Sequence, residues 1–228
     1  MLNVPKALVF SDDLVGLNVR DEDLFHLKNV LRLNDGETVT VSDGISSYVK
    51  CEWSNNRENY LIKVSEIENF SPPTPPITVG FSLVKGERND WCIQKLTEIG
   101  VDRILPFISS RTILKWDQIK MIKSLTRWKT IAREASSQSK RLSIPEIIDV
   151  QQFQDVIKFV GDIQYVGICD SSGTNLDNKI TTLLVGPEGG FEPNELSQFP
   201  LKIRLGPNVL RTETAAISAA VLLVNGGR

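Results

Sequence analysis

Four of the five residues in Pro72-Pro73-Thr74-Pro75-Pro76 are proline, and no other stretch limits the fold of this chain so sharply. Proline fixes φ and removes a backbone donor, so the run can continue neither a helix nor a central strand. It reads as a stiff, extended connection. It divides the 228 residues into a unit at 1–69, a linker at 70–76 and a unit at 77–228.

The two units follow different periodicities. In the first, Ala7–Phe10 is a short apolar strand, and Asp21–Leu31 carries Leu24, Leu27 and Leu31 at helical spacing. Asn34-Asp35-Gly36 is a turn, Glu37–Ser42 alternates, and Asp43-Gly44 signals a hairpin into Ser47–Trp53. A polar turn at Asn55–Asn59 leads to a further strand, Tyr60–Ile67. Short strands closed by tight turns favour a small β-barrel.

Beyond the prolines, strands alternate with helices. The pattern predicts strand Ile77–Val84, helix Asn89–Ile99 closed by Gly100, strand Arg103–Ile108 and a long helix from Trp116 to Ser139. There follow a short helix Gln152–Phe159, strands Gln164–Cys169 and Thr181–Val185, a helical turn from Pro193, strand Lys202–Leu205 and a last helix Thr212–Asn225. Such alternation with apolar strands means an α/β unit with a parallel sheet covered on both faces. Ala215, Ala216, Ala219 and Ala220 give the last helix a small face against which a neighbour can pack closely.

Sheets of this kind take ligands at the carboxyl ends of their strands. Two late strands end in Gly-Pro: Leu183-Leu184-Val185-Gly186-Pro187-Glu188-Gly189-Gly190-Phe191, and Leu205-Gly206-Pro207-Asn208-Val209-Leu210-Arg211-Thr212-Glu213-Thr214-Ala215-Ala216. They offer shaped backbone rather than reactive side chains. Taken alone, Gly186–Gly190 reads more readily as a turn than as a cofactor loop. Neither a Walker A loop nor a GxGxxG fingerprint occurs, and the glycine-rich ends come too late for an ordinary Rossmann methyltransferase.

Other chemistries are disfavoured by what is scarce. His26 is the single histidine and sits in a helical pattern, so it reads as structural, and histidine-clustered metal sites and a Ser-His-Asp triad are not expected. Cys51, Cys92 and Cys169 are far apart with no CxxC pair, which suggests buried thiols rather than a disulfide framework or a zinc site. No metal is expected. No apolar run has the length of a membrane span, and the start Met1–Lys6 has the character of neither a signal nor a transit peptide, so a cytoplasmic protein without a membrane partner is expected.

Formal charge is −2 overall but unevenly spread: residues 111–141 carry nine basic side chains against two acidic ones, a net of +7. A local basic surface is what a phosphate backbone meets, whatever the molecular total. A solvated helix face is the plain alternative. Lys85 and Arg88 follow the first strand of the second unit and could also meet phosphates or a base, with Glu98 able to pair with either. Of the tryptophans, Trp91 and Trp128 fall in helical patterns and read as core, while Trp116 could stack on a base.

The two Gly-Pro segments together resemble the C-terminal signature of the bacterial 16S ribosomal RNA (uracil-N3) methyltransferases, a branch of the SPOUT superfamily. Lys85–Arg88, Gln94–Val101, Arg127-Trp128 through Gln138-Ser139, and Val30–Leu33 are similar to that family in the same order. The resemblance implies a PUA-like RNA-binding barrel at 1–69 and a SPOUT domain with a deep C-terminal trefoil knot at 77–228, assembled as a homodimer. It implies S-adenosylmethionine as cofactor, held by Leu184, Val185, Gly186, Gly189, Gly190, Leu205, Gly206, Leu210 and Thr212, and small-subunit ribosomal RNA as partner. RNA contacts are expected from Arg32, Lys85, Arg88, Lys129, Arg133 and Arg141.

For methylation at uracil N3 an imide proton must leave and charge spreads onto O2 and O4, a task for a guanidinium. Arg211 is the expected catalytic group, with Glu213 positioning it or accepting the proton; a helix-start salt bridge between the two is the alternative. Another SPOUT specificity, or an RNA-binding assembly factor without catalysis, would share much of this pattern. Ser136–Lys140 departs from the family's usual Ala/Cys-Glu-Gln-Ser-Gly run, and Asn208 stands where an arginine is frequent.

Overall fold

The computed structural model describes residues 5–55 and 60–226, which form two compact units. The chain passes between the units at Pro72/Pro73, within the proline run, and twice more: residues 133–144 pack with the first unit, so neither unit is a single stretch of sequence.

In the first unit, β1 (Ala7–Phe10) runs parallel to β2 (Thr38–Ser42), which pairs antiparallel with β3 (Ser47–Trp53). Two short strands, β4 (Leu61–Lys63) and β5 (Glu68–Asn69), complete the sheet against β3. Alternation along β3 buries Val49, Cys51 and Trp53, which join Val9, Val39 and Val41 in one core. The turn after β2 is made by Asp43, whose Oδ1 accepts from the backbone N–H of Ile45, Ser46 and Ser47 at 2.7, 2.9 and 3.0 Å. Helix α1 (Asp21–Phe25) continues into a π-helical turn, His26–Val30, that inserts Leu27 into the core.

The expected strand Tyr60–Ile67 shrinks to β4 because Val64 and Ile67 are left exposed instead of facing a core. Tyr60 stacks on Trp53 with ring centroids 5.2 Å apart. Residues 56–59 of the expected polar turn, and Met1–Val4 at the start, lie outside the described residues.

Residues 133–144 are held by polar bonds that charge and periodicity do not announce. Ser137 Oγ donates to the Leu8 carbonyl, Ser42 Oγ to the Leu142 carbonyl, and the Ile144 N–H to Gly44. Lys140 donates to the carbonyls of Pro5 and Lys6, and burial holds its ammonium below the ordinary lysine range.

The second unit contains β6 (Thr78–Ser82), α2 (Arg88–Ile99), β7 (Arg103–Ile108), the first part of α3 (Gln118–Gln138), β8 (Glu146–Ile147), β9 (Gln151–Gln152) and α4 (Phe153–Val156). It continues with β10 (Val166–Thr174), β11 (Thr182–Val185), α5 (Pro193–Leu196), β12 (Leu201–Ile203) and α6 (Thr212–Gly226). The strand order is β12-β10-β11-β6-β7-β8, with β9 also on β7, and every pairing is parallel. β6 is buried at all five positions, as an apolar strand inside a two-sided sheet must be.

Helix α2 ends at Gly100, whose φ of 109° closes the helix in the left-handed region. It packs against α6, where Ala215, Ala216, Ala219 and Ala220 are buried and permit the close approach. A second core, with Leu105, Phe107, Phe153, Phe191 and Phe199, holds the elements after β7, β9 and β11. No described helix is long and apolar enough to cross a membrane.

Candidate active site

Because β10 lies between β11 and β12, the three adjacent strands bring their carboxyl ends together. A cleft of about 300 Å³ opens there. It is lined by Val185, Gly186 and Gly190 from the first Gly-Pro loop, and by Leu205, Gly206 and Leu210 from the second. Thr212 also lines it, and its Oγ1 donates to the Gly186 carbonyl at 3.0 Å, tying the two loops to each other. Val185, Leu205 and Leu210 give the cleft apolar surface beside polar side chains that include Asp170, Ser171, Glu188 and Asn208, a mixture that suits a flat heteroaromatic ligand with a polar tail.

Glycine is required here for two separate reasons. A Cβ at Gly186 would lie 2.9 Å from the Phe191 ring, so the small residue lets that ring close the base of the loop. At Gly190 φ is +70°, the last residue of a turn in which its N–H bonds the Pro187 carbonyl. At Gly206, by contrast, nothing lies within 4 Å of an added Cβ.

Neighbouring loops brace this frame. Arg111 Nη1 donates to the Gly189 carbonyl at 2.7 Å, and buried Glu195 accepts from the Ser110 N–H at 2.9 Å and from the Glu192 N–H at 2.8 Å. Gly189 thus turns toward Arg111 and is not among the cleft's lining residues. Leu184 is not among them either: it is fully buried in the sheet core, where it occupies the space beside Gly80. Both residues brace the frame of the cleft from outside its lining.

The cleft also has a wall that the sequence reading missed, Cys169, Asp170 and Ser171 at the end of β10. The Ser172 hydroxyl and N–H hold the Asp170 carboxyl below its ordinary value against the opposing effect of burial, with help from Lys202. The Cys169 thiol is pushed up to about 12, by burial first and then by Asp170, so it stays protonated and is no nucleophile.

At the start of α6, Glu213 is buried, and its Oε1 lies 3.5 Å from Arg88 Nη1. Its Oε2 is buried with no hydrogen-bond partner among the described residues. Burial, and then the Glu213 charge, push the nearby Cys92 thiol up to about 12. Arg211 is exposed, and the ion pair that Glu213 makes is with Arg88 and not the alternative one with Arg211.

The sequence matches a family model for the RNA methyltransferase domain over residues 71–224 and one for an RNA methyltransferase PUA domain over residues 19–64. It is 32% identical to ribosomal RNA small subunit methyltransferase E of Mycobacterium bovis over 213 residues, covering 86% of this chain and 80% of that protein. The chain belongs to the ribosomal RNA small subunit methyltransferase E family. The Bacillus subtilis member is 31% identical over 222 residues, covering 89% and 87% of the two chains.

Among solved structures, a Legionella pneumophila protein with the cofactor S-adenosylmethionine bound is 28% identical, with a TM-score of 0.78 over 95% of each chain. The Neisseria gonorrhoeae small subunit methyltransferase E, also bound to S-adenosylmethionine, shares the fold with a TM-score of 0.77 at 22% identity, over 95% of this chain and 96% of that one.

Family membership does not bring every basic residue to a nucleic-acid surface. Lys85, Arg88, Lys129 and Arg32 are exposed, Arg32 with a φ of 50° after the π-helical turn. Arg133 is engaged within the protein: it pairs with Asp23, donates to the Phe10 carbonyl at 3.1 Å and sits over the Phe10 ring. Arg141 is half-buried, with Nε donating to Ser143 Oγ at 3.2 Å. Glu98 pairs with Lys95, one turn back on its own helix, and not with Lys85 or Arg88. Trp128 is core as expected, whereas Trp91 is 44% exposed.

Proposed function

We propose that this chain transfers a methyl group from S-adenosylmethionine to N3 of one uridine in small-subunit ribosomal RNA, acting in the cytoplasm as a homodimer whose C-terminal unit is knotted. The observation that carries the reading is the buried Glu213, with an oxygen unengaged among the described residues, one residue beyond the Thr212 that ties the two cleft loops. The residues at the cleft suit the cofactor: Val185, Leu205 and Leu210 provide apolar surface for adenine, and the backbone from Gly186 to Gly190 provides groups for its edge. Asp170 and Glu188 add negative charge that suits a cationic ligand.

When bound, S-adenosylmethionine supplies an electrophilic methyl carbon on a sulfonium. The chain has to remove the N3 proton and stabilise the charge that spreads to the two carbonyl oxygens. Glu213 Oε2 is an acceptor with no other partner among the described residues, which suits it to the proton. Arg88 holds the other oxygen and fixes the carboxylate's direction. Arg211, exposed and two residues before Glu213, is the guanidinium suited to O2 and O4. Among the exposed cations, Lys85, Lys129 and Arg32 are suited to RNA phosphates.

Incubation with small ribosomal subunits lacking their native modification and labelled cofactor, then nuclease digestion and mass spectrometry of the nucleosides, tests the proposal. One site of 3-methyluridine is the expected result. A different methylated nucleoside would overturn the atom assignment, and no binding of S-adenosylmethionine by calorimetry at millimolar concentration would overturn the enzyme reading.

A further inference from the structure

The start of α2 faces two ways. Arg88 reaches Glu213, while its chain neighbours Gly86 and Glu87 line a separate cleft of about 330 Å³ together with Trp116, Lys120 and Arg127. Consecutive Cα atoms are only about 3.8 Å apart, so this second cleft begins next to the catalytic carboxylate's own partner.

Its aromatic wall is Trp116, backed by a buried second tryptophan. Trp128 is 1% exposed and its Nε1 donates to Asp90 at 2.9 Å; Trp116 is stacked on it, with centroids 5.9 Å apart and an interplanar angle of 30°. The Lys120 ammonium stands 5.0 Å from the Trp116 centroid. Arg127 binds Asp90 through Nε at 2.7 Å, yet its side chain is 65% exposed.

Two carboxylates belong to the same lining. Asp90 is engaged by Arg127 and Trp128, and Glu87 stands exposed. The surrounding chain adds Lys115, Lys123 and Lys129, all exposed. An aromatic platform with two cations at its edge matches a base and its phosphate; a phosphorylated peptide would leave the ring unused. Lys120 is exposed, so a base can replace its weak hold on the ring and receive its charge at the phosphate instead.

We infer that this cleft holds a nucleotide of single-stranded RNA adjoining the target base, stacked on Trp116 with its phosphate against Lys120 and Arg127. The inference rests on the methyltransferase reading for the identity of the natural RNA and for the target base that the nucleotide adjoins.

Fluorescence anisotropy of a short labelled oligouridylate, read beside calorimetric S-adenosylmethionine affinity and the melting temperature, tests it. Trp116→Ala should weaken oligonucleotide binding on the order of tenfold and Trp116→Phe much less, with cofactor affinity and melting temperature unchanged. Lys120→Ala should lower the salt dependence of binding by about one charge. Wild-type affinity in Trp116→Ala, or a parallel loss of cofactor affinity and melting temperature in both Trp116 variants, would overturn the inference. Methylation of small subunits by a wild-type protein that binds no oligouridylate would also overturn it and leave the proposed function standing. Binding through Trp116 without methyl transfer to subunits would do the reverse.

Discussion

At the scale of single residues, Glu213 shows how far a side chain's role depends on partners distant in sequence. Its carboxylate is buried, so loss of the Arg88 contact would leave an uncompensated charge. Glu213→Gln keeps the shape and removes the proton acceptor. Single-turnover methylation should fall by about 10²–10⁴-fold, with S-adenosylmethionine affinity by calorimetry unchanged. Asp43 makes a different prediction. Burial alone would raise its pKa, but the N–H groups of Ser47, Ile45 and Ser46 outweigh burial and hold the carboxyl below the ordinary 3.8. A carboxyl depressed by folding contributes stability above its unfolded pKa and loses it as pH falls through the folded one. Asp43→Asn should therefore lower the melting temperature at pH 7 and show a flatter decline than wild type below about pH 4, which thermal melts across that range would record.

At the scale of elements, the alternation of strands and helices beyond the prolines was legible because buried parallel strands are apolar throughout and their helices are periodic. The carboxyl ends of β11 and β12, which meet at the cleft, were legible as shaped strand ends for the same reason, since Gly-Pro follows an apolar run in each. The end of β10 was not: Cys169-Asp170-Ser171 has no spacing signal and enters the cleft only because β10 is inserted between β11 and β12. The contacts of Arg133 were not legible either, because a charge pattern does not say which carbonyl a guanidinium will reach. The two loops also separate structural from ligand-facing glycine. Gly186→Ala should cost about 1–3 kcal/mol in a denaturant melt, because Phe191 must shift. Gly206→Ala has room and should leave the melt nearly unchanged, while calorimetry records weaker S-adenosylmethionine binding.

At the scale of the whole molecule, the proline run marks one passage between units, but the sequence gives no sign of the return at 133–144, because those residues lie in and just after an unbroken helical pattern. Ala135 and Ser136 of that segment are buried, and its bonds satisfy Leu8 and Ser42 within the first unit. A protein ending at Pro72 lacks all of them. It should melt well below the intact chain or fail to give a cooperative transition, and addition of a peptide of residues 133–144 should restore part of the loss; circular dichroism would record both. The discontinuity also sets an order of events during synthesis. Growing from the N-terminus, the chain cannot complete its first unit until Ile144 has left the ribosome. By then β6 and β7 have emerged and can pair with each other, while β11, the other neighbour of β6, has yet to be made. The two units must therefore mature together on the nascent chain, with one apolar edge waiting for its partner.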